Sequence, residues 1–346
     1  MVNGPGCCAG SSAIEPLAIL RVLVTGGAGY VGSTSAEALI GAGHSVTVLD
    51  SLFRGRRSAV PAEAHLVEAD VGDASAVGRV LRADGIEAVL HCAALAQVGE
   101  SVADPALYFR VNVASGLVLL DAMRAAGVGR MVFSSSAAVY GTPQSTPIDE
   151  DHPMRPLNPY GETKRAFEGA LDWYSRAYGL AAVSLRYFNA CGATPARGED
   201  HRPESHLIPN MLFGAIDGPP VKIFGNDYPT PDGTCVRDYV HVADLAAAHI
   251  AALEMSAEAE STHISCNLGS GSGFSVLEVL RAAEEVLGRE IPHSYGPRRE
   301  GDPAALVASN VKARELLGWQ PHHGTLGEII GSAWRWHQAH PEGYPE

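Results

Sequence analysis

A tyrosine and a lysine stand four residues apart, at Tyr160 and Lys164, in the segment Pro159–Tyr178 that the sequence predicts to be helical. Positions i and i+4 share one face of a helix, so the phenol and the ammonium are expected to lie side by side. A neighbouring ammonium stabilises a phenolate and lowers the pKa of the phenol from about 10 toward neutrality. The pair predicts a general base, although Tyr-x-x-x-Lys alone is more often an ordinary exposed helix pair.

A run of serines supplies a third group for the same chemistry. Ser134–Ser136 ends the predicted fifth strand of a parallel sheet. Folds of this class place their ligands at the carboxyl edge of the sheet, where a serine hydroxyl can relay or orient a proton. Ser136, Tyr160 and Lys164 are therefore the predicted catalytic residues.

A glycine-rich turn indicates a cofactor site. Gly26, Gly29 and Gly32 follow a predicted strand and open the next helix, in the spacing GxxGxxG. Glycines permit a tight turn and let a pyrophosphate approach the N–H groups at the helix start. Asp50 ends the second strand, where a carboxylate accepts hydrogen bonds from an adenosine ribose and repels a 2′-phosphate. The pattern predicts NAD rather than NADP.

The third strand ends in Asp70 and Val71, which are placed to touch the adenine. A simple cap on the strand end is the structural alternative for this pair.

Short apolar runs alternate with longer amphipathic ones and position these groups. The predicted strands are Leu20–Thr25, Ser45–Leu49, His65–Glu68, Ala88–His91, Met131–Ser134 and Val183–Arg186. The predicted helices run from the glycine turn to Ala42 and over Ser75–Arg82, Leu107–Ala126 and Pro159–Tyr178. Strands and helices in alternation predict an α/β fold with a Rossmann-like, doubly wound parallel sheet.

The alternation breaks after about Asn189, which predicts a second region. We expect residues 20–190 to form the NAD-binding domain, with residues 235–260 returning to its sheet through a strand at Asp238–Val242. Residues 191–234 and 261–346 are expected to form a smaller, interleaved α/β substrate-binding region. Residues 1–19 differ in composition and are predicted to be a disordered extension.

Composition excludes several classes of function. The formal net charge of −14 argues against nucleic acid binding. No apolar run reaches the roughly 20 residues of a membrane-spanning helix. The six cysteines form no CxxC pair, which favours free thiols in a reducing cytoplasm. The pair His201 and His206 is the histidine pair considered for a metal site, and no metal is predicted there.

Together these motifs resemble the extended short-chain dehydrogenase/reductase superfamily and, within its NAD-dependent epimerase/dehydratase family, the UDP-glucose 4-epimerases. The resemblance runs from about Leu20 to Glu346 and is most specific at Ile223–Val242, IFGNDYPTPDGTCVRDYVHV. The other matching segments are VTGGAGYVG, VGESV, FSSSAAVYG, PYGETK, RYFNACGA, RREGDP and HPEGYP.

The resemblance implies roles for individual residues. It implies that NAD contacts Gly26, Gly29, Tyr30, Val31, Gly32, Asp50, Ser51, Asp70, Val71, Cys92, Ala93, Ala94, Asn112, Ser134, Tyr160, Lys164, Tyr187 and Phe188. It implies that a UDP-sugar contacts Ser136, Tyr160, Asn189, His206, Leu207, Lys222, Phe224, Arg237, Arg299, Asp302 and Leu306. The forked guanidinium groups suit a diphosphate, and Phe224 suits packing on uracil.

The implied activity is reversible inversion of carbon 4 of UDP-glucose and UDP-galactose through a 4-keto sugar, with tightly bound NAD, in galactose metabolism. The resemblance also implies a homodimer that pairs the helices Leu107–Ala126 and Pro159–Tyr178. Ala96, His206 and Leu306 depart from the best-known bacterial pattern. Ala96 puts one cofactor contact in doubt, and His206 one substrate contact.

One alternative to this activity stays open, and two others are disfavoured by the sequence. Because Leu306 stands where a tyrosine is frequent, epimerisation of UDP-N-acetylglucosamine/UDP-N-acetylgalactosamine, or of UDP-xylose/UDP-arabinose, remains an alternative. A 4,6-dehydratase is disfavoured because Ala137–Val139 follow Ser136 in place of an Asp-Glu pair. A non-catalytic NAD-binding regulator is disfavoured because both Tyr160 and Lys164 are present.

Overall fold

The structure is a computed structural model that describes residues 19–216, 218–258, 262–299 and 302–345. The predicted disordered extension lies outside the described residues, apart from its last residue, Ile19.

Strands and helices of the described residues follow in chain order. The strands are β1 (Arg21–Thr25), β2 (Ser45–Asp50), β3 (His65–Glu68), β4 (Ala88–His91), β5 (Arg130–Ser136), β6 (Ala181–Tyr187), β7 (Asn189–Cys191), β8 (Val221–Phe224), β9 (Val236–His241), β10 (His263–Leu268), β11 (Gly273–Ser275), β12 (His293–Gly296) and β13 (Ala305–Leu306). The α-helices are α1 (Tyr30–Gly41), α2 (Ala74–Ala83), α3 (Val98–Ala103), α4 (Pro105–Tyr108), α5 (Ser115–Ala126), α6 (Pro159–Tyr178), α7 (Leu207–Ile216), α8 (Val242–Glu258), α9 (Val276–Leu287), α10 (Val311–Leu317) and α11 (Leu326–Ala339).

A parallel sheet forms the centre of the described structure, in the order β3-β2-β1-β4-β5-β6-β10. The chain runs outward from β1 to β3 and then resumes on the other side of β1 with β4. This reversal opens a crevice beyond the carboxyl ends of β1 and β4, where doubly wound sheets bind ligands.

Helices cover both faces of this sheet because successive strand residues point to opposite sides. On one face, Val22 and Val24 pack with Leu39 of α1 and Leu245 of α8. On the other face, Leu23 packs in a second cluster with residues of α2, α5 and α6. The predicted doubly wound α/β fold is confirmed.

The prediction that the strand near Asp238 returns to the main sheet is wrong. That strand, β9, pairs with β7, β11 and β13 in a separate sheet. The strand that returns is β10, which pairs in parallel with β6. Its sequence HISCNL mixes polar and apolar residues, so no continuous apolar run marked it. The helix after β9 does return, because α8 packs against α1. The predicted domain boundaries remain a prediction.

One helical stretch among the described residues, Pro105–Ala126, is long and apolar enough to cross a membrane by length and composition alone. Its last part, α5, packs against α2 and α6 of the domain.

A buried ion pair joins α6 to the central sheet. Arg186 of β6 donates to both carboxylate oxygens of Glu168, at 2.6 to 3.2 Å, and the two side chains are 4% and 2% exposed. Ser135 of β5 donates to the same carboxylate. Because Ser135 and Arg186 are register partners in adjacent strands, one carboxylate ties α6 to both strand ends.

We predict that Glu168→Gln destabilises the protein by about 3–5 kcal/mol, because it leaves the Arg186 guanidinium buried without a counter-charge. Urea unfolding followed by circular dichroism measures the change. Glu162→Gln on the same helix is the matched control. Its pair with Arg165 is exposed, so a loss below about 1 kcal/mol is expected. Equal losses in the two variants would contradict the role of the buried pair.

Candidate active site

A cavity of about 680 Å³ lies at the carboxyl edge of the central sheet. Its wall collects residues predicted from separate parts of the sequence: Gly26, Gly29, Tyr30, Val31, Gly32, Asp50, Ser51, Asp70, Val71, Cys92, Ala93, Ala94, Ser134, Ser136, Tyr160, Lys164, Tyr187, Phe188, Asn189, His206, Leu207, Arg299, Asp302 and Leu306. The fold therefore brings the two predicted ligand sites and the catalytic residues to one cavity.

Four predicted residues lie outside the cavity wall. Asn112 is buried behind it, where its amide bonds both backbone groups of Leu95 and the hydroxyl of Thr163. It thus fixes Leu95, which does line the cavity. Phe224 and Arg237 stand beside the wall and contact its residues Arg299 and Asp302, and Lys222 lies over the Phe224 ring.

The glycine turn fits the pyrophosphate that the sequence predicted. A side chain at Gly32 would place its Cβ 2.1 Å from the carbonyl oxygen of Gly26, so only glycine lets the helix begin this close to the turn. Gly26 has φ of +72° and packs against the backbone of Ala93. The turn leaves free N–H groups at the start of α1 facing the cavity, as a dinucleotide site requires.

Asp50 holds this turn as well as facing the cavity. Its carboxylate accepts hydrogen bonds from the backbone N–H groups of Ala28, at 3.0 Å, and Leu52, at 2.8 Å. Burial nevertheless raises the pKa of Asp50, with these two bonds opposing the rise. The carboxylate lies at the end of β2, where a ribose diol is bound in folds of this type.

The start of α6 brings the catalytic tyrosine to the end of β5. Asn158 caps the helix by accepting from the N–H of Gly161 at 2.9 Å, and Pro159 occupies the first turn. A Cβ on Gly161 would lie 2.4 Å from the carbonyl oxygen of Ala138. Because residue 161 is glycine, the start of α6 can pack closely against the turn that follows Ser136.

Lys164 lies at the bottom of the cavity. Its ammonium donates to the carbonyl of Ser134 at 2.7 Å and lies 5.9 Å from the centre of the Tyr160 ring. Burial lowers the pKa of Lys164 to about 8, opposed by Cys92 and Glu168. The lysine therefore anchors the helix to β5 and keeps its positive charge at neutral pH.

The predicted effect of Lys164 on Tyr160 is wrong for this structure. Burial raises the pKa of Tyr160, and the group that opposes the rise is the hydroxyl of Ser136. The spacing correctly indicated a shared helix face, but the ammonium points to the Ser134 carbonyl and not to the phenol oxygen. The group that opposes the rise in the phenol's pKa is thus Ser136 and not Lys164.

Tyr187 and Phe188 form the wall next to this pair. Tyr187 is the register partner of Ser136 across β5 and β6. Its hydroxyl bonds His249 of α8, and burial lowers the pKa of His249 to about 3. The imidazole is therefore neutral and holds the tyrosine in place. Asn189 follows at the start of β7 and lines the cavity.

Basic and aromatic side chains cluster at the end of the cavity where Arg299 and Asp302 form its wall. Arg237 donates to Asp302 at 2.6 Å, and the guanidinium of Arg299 lies 4.1 Å from the centre of the Phe224 ring. Lys222 also lies over this ring, at 5.3 Å. A stacked aromatic ring beside two arginines suits a base attached to a diphosphate.

The loop between β7 and α7 carries cavity residues that the sequence analysis missed. Glu199, Asp200 and Arg202 line the cavity, as do Arg54 and Gln97 from other loops. Arg54 and Gln97 donate to the carbonyls of Arg202 and Pro203. The basic run after Asp50 was the available signal for Arg54. No periodic pattern marks the loop itself.

The C-terminal HPEGYP motif holds the same loop from outside. The N–H of Tyr344 donates to Asp200 at 3.1 Å, and its hydroxyl accepts from the N–H of Gly198 at 2.9 Å. The hydroxyl of Ser58 donates to the carbonyl of Pro345 at 2.6 Å. The last residues thus join the loop to the segment that follows Asp50.

Comparison with known proteins gives a consistent result. The model of the NAD dependent epimerase/dehydratase family matches residues 22–269. The UDP-glucose 4-epimerase of Corynebacterium glutamicum is 51% identical over 317 residues, which cover 91% of this chain and 95% of that one. That of Lactobacillus helveticus is 48% identical over 330 residues, covering 94% and 100%.

The chain is also similar in structure to a solved UDP-glucose 4-epimerase. The crystal structure of UDP-glucose 4-epimerase from Bifidobacterium longum in complex with NAD+ and UDP superposes with a TM-score of 0.88. It is 38% identical and covers 94% of this chain and 100% of its own.

We predict that Ser136→Ala lowers turnover of UDP-galactose, the substrate that the resemblance implies, by about 10–100-fold at neutral pH. The hydroxyl of Ser136 lowers the pKa of Tyr160, so its removal raises that pKa further. Because the phenol must lose its proton to act as a base, the rising limb of the pH–rate profile should move to higher pH. Ser136→Thr keeps the hydroxyl and is expected to keep the limb in place. An unmoved limb in the alanine variant would contradict this role.

Proposed function

The chain belongs to the NAD dependent epimerase/dehydratase family, and we propose that it inverts carbon 4 of UDP-glucose and UDP-galactose reversibly. The observation that carries the proposal is the meeting of Ser136, Tyr160 and Lys164 in one cavity with the glycine turn. Its other end, around Arg299 and Asp302, has the chemistry to hold a uridine diphosphate.

NAD is the cofactor, and when bound it would supply the hydride acceptor for carbon 4 and the hydride donor for the return step. The residues of this chain supply binding, orientation and proton transfer. Tyr160 takes the proton of the 4-hydroxyl as a general base, and Ser136 stabilises the phenolate through a hydrogen bond. The product of this half-reaction is a 4-keto sugar.

Inversion requires the 4-keto sugar to present its other face. The UDP moiety is held at a distance from Tyr160, by Arg237, Arg299 and Phe224, so the sugar ring can turn about its bonds to the diphosphate. Tyr160 then acts as an acid and returns the proton to the 4-oxygen. The same side chain works as base and acid in one reversible cycle.

The alternative nucleotide sugars are not favoured, because the Lactobacillus helveticus and Corynebacterium glutamicum relatives, at 48% and 51% identity, are UDP-glucose 4-epimerases. Leu306 lines the cavity and packs with the buried cluster that contains Ala137, Val139 and Phe188. The Leu306 side chain, in the wall next to Ser136, therefore determines the size of sugar that fits there. A role in galactose metabolism in the cytoplasm remains a prediction.

We predict that Tyr160→Phe lowers kcat for UDP-galactose by about 10²–10⁴-fold, which is the usual contribution of a general base. The variant should retain as much NAD as the wild type, because only the hydroxyl is removed. Conversion of UDP-galactose to UDP-glucose without added cofactor is the measurement. Tyr295→Phe, at an exposed tyrosine, is the matched control and should keep full activity. Near-normal turnover by Tyr160→Phe would contradict the proposed mechanism.

We further propose that the protein is a homodimer formed by α5 and α6. These two helices adjoin, since Tyr174 donates to Asp121, and α6 carries the exposed aromatic side chains of Trp173 and Tyr178. Exposed apolar groups on a helix pair favour burial against a second copy.

The solution mass is expected to be twice the 36.3 kDa of the chain. Trp173→Glu should halve it, whereas Tyr295→Glu should leave it unchanged. Light scattering measures both. A monomeric wild type, or a dimer that Trp173→Glu leaves intact, would contradict this interface.

A further inference from the structure

Four side chains of the loop between β7 and α7 turn toward one point. Glu199, His201, Glu204 and His206 each offer one ligand atom, and these atoms all lie within 4.8 Å of one another. The sequence analysis noted the two histidines but found no matching carboxylates. The fold supplies both of them from the same eight residues, in the order Glu-x-His-x-x-Glu-x-His.

The carboxylate of Glu199 is the centre of the group. Its Oε1 faces the Nδ1 atoms of both His201, at 3.0 Å, and His206. The Nδ1 of His206 also lies 3.5 Å from Oε1 of Glu204. A tetrahedral metal with bonds of about 2.0–2.1 Å places its ligand atoms roughly 3.3 Å apart. The separations of 3.0 and 3.5 Å are close to that value, and all four ligand atoms lie within 4.8 Å of one another.

Burial and charge favour a cation at this point. The side chains of Glu199 and Glu204 are only 6% and 9% exposed, so two carboxylates stand close together with little water between them. The histidines are more exposed, at 34% and 47%, and leave the group open on the cavity side. A dication with two carboxylates and two neutral imidazoles forms a neutral unit.

We infer that Glu199, His201, Glu204 and His206 form a binding site for a divalent transition metal. Two imidazoles and two carboxylates are the ligand types that Zn²⁺ and its neighbours in the first row accept. Mg²⁺ and Ca²⁺ prefer sets made of oxygen alone and are not expected to compete.

The site would act on the proposed active site through His206. Metal at Nδ1 leaves Nε2 protonated, so His206 becomes a fixed hydrogen-bond donor at a wall where the UDP-sugar is proposed to bind. The metal would also fix the loop whose carbonyls accept from Arg54 and Gln97. This consequence rests on the proposed function, whereas the metal site itself rests only on the four side chains.

The test is calorimetric titration of the full-length, NAD-containing protein, first treated with a chelator, with ZnCl₂. We expect one site per chain with a Kd in the micromolar range or below. Glu199→Gln and His201→Ala should each weaken binding at least 10-fold. Co²⁺ should give the visible absorption of a four-coordinate site, and His201→Ala should abolish it.

His323→Ala is the matched control, because His323 stacks on His241 at 4.2 Å and this second histidine pair also lies near a carboxylate, that of Asp244. It should bind Zn²⁺ as the wild type does. Absence of binding to the wild type, or loss in His323→Ala with none in the Glu199 and His201 variants, would overturn the inference. Circular dichroism and NAD content show whether a variant is folded. The titration needs no turnover, so its failure is distinct from failure of the proposed function.

Discussion

The active site depends on how α6 is fixed to the carboxyl end of β5. Lys164 donates to the carbonyl of Ser134, and one turn later Glu168 binds Ser135 and Arg186. Both contacts are buried, so neither is weakened by water or salt. They set the helix start, and with it Tyr160, beside the hydroxyl of Ser136. The lysine is thus first a positioning group, and its charge stays near the reacting atoms because burial lowers its pKa only to about 8.

The cofactor site follows from the same sheet. The reversal between β1 and β4 opens the crevice, and the glycine turn lets the start of α1 approach it. The loop of residues 198–206 then closes the crevice from the other side, held by Arg54, Gln97 and Tyr344. Contacts from distant parts of the chain therefore line one cavity.

Local patterns predicted the fold class and the catalytic residues because their chemistry lies within short segments. The glycine turn, Asp50, the serines of β5 and the Tyr160–Lys164 pair each occupy a few neighbouring residues. The features that the sequence did not predict correctly depend on contacts between distant parts of the chain. The sheet that β9 joins is set by its partners and not by its own apolar pattern. The pKa of Tyr160 depends on burial, and the Glu199–His206 cluster lies in a loop without periodicity. Residue roles at the nucleotide end came from resemblance, since Arg237 and Phe224 alone are ordinary strand residues.

In the proposed mechanism, the hydrogen on carbon 4 leaves and returns within one site, and Tyr160 transfers only the hydroxyl proton. Conversion of UDP-galactose carrying deuterium at carbon 4, in ordinary water without added cofactor, tests this directly. We predict that the UDP-glucose formed keeps its deuterium at carbon 4, as judged by NMR. Loss of the deuterium to solvent would show that carbon 4 is deprotonated by a base and would contradict the account.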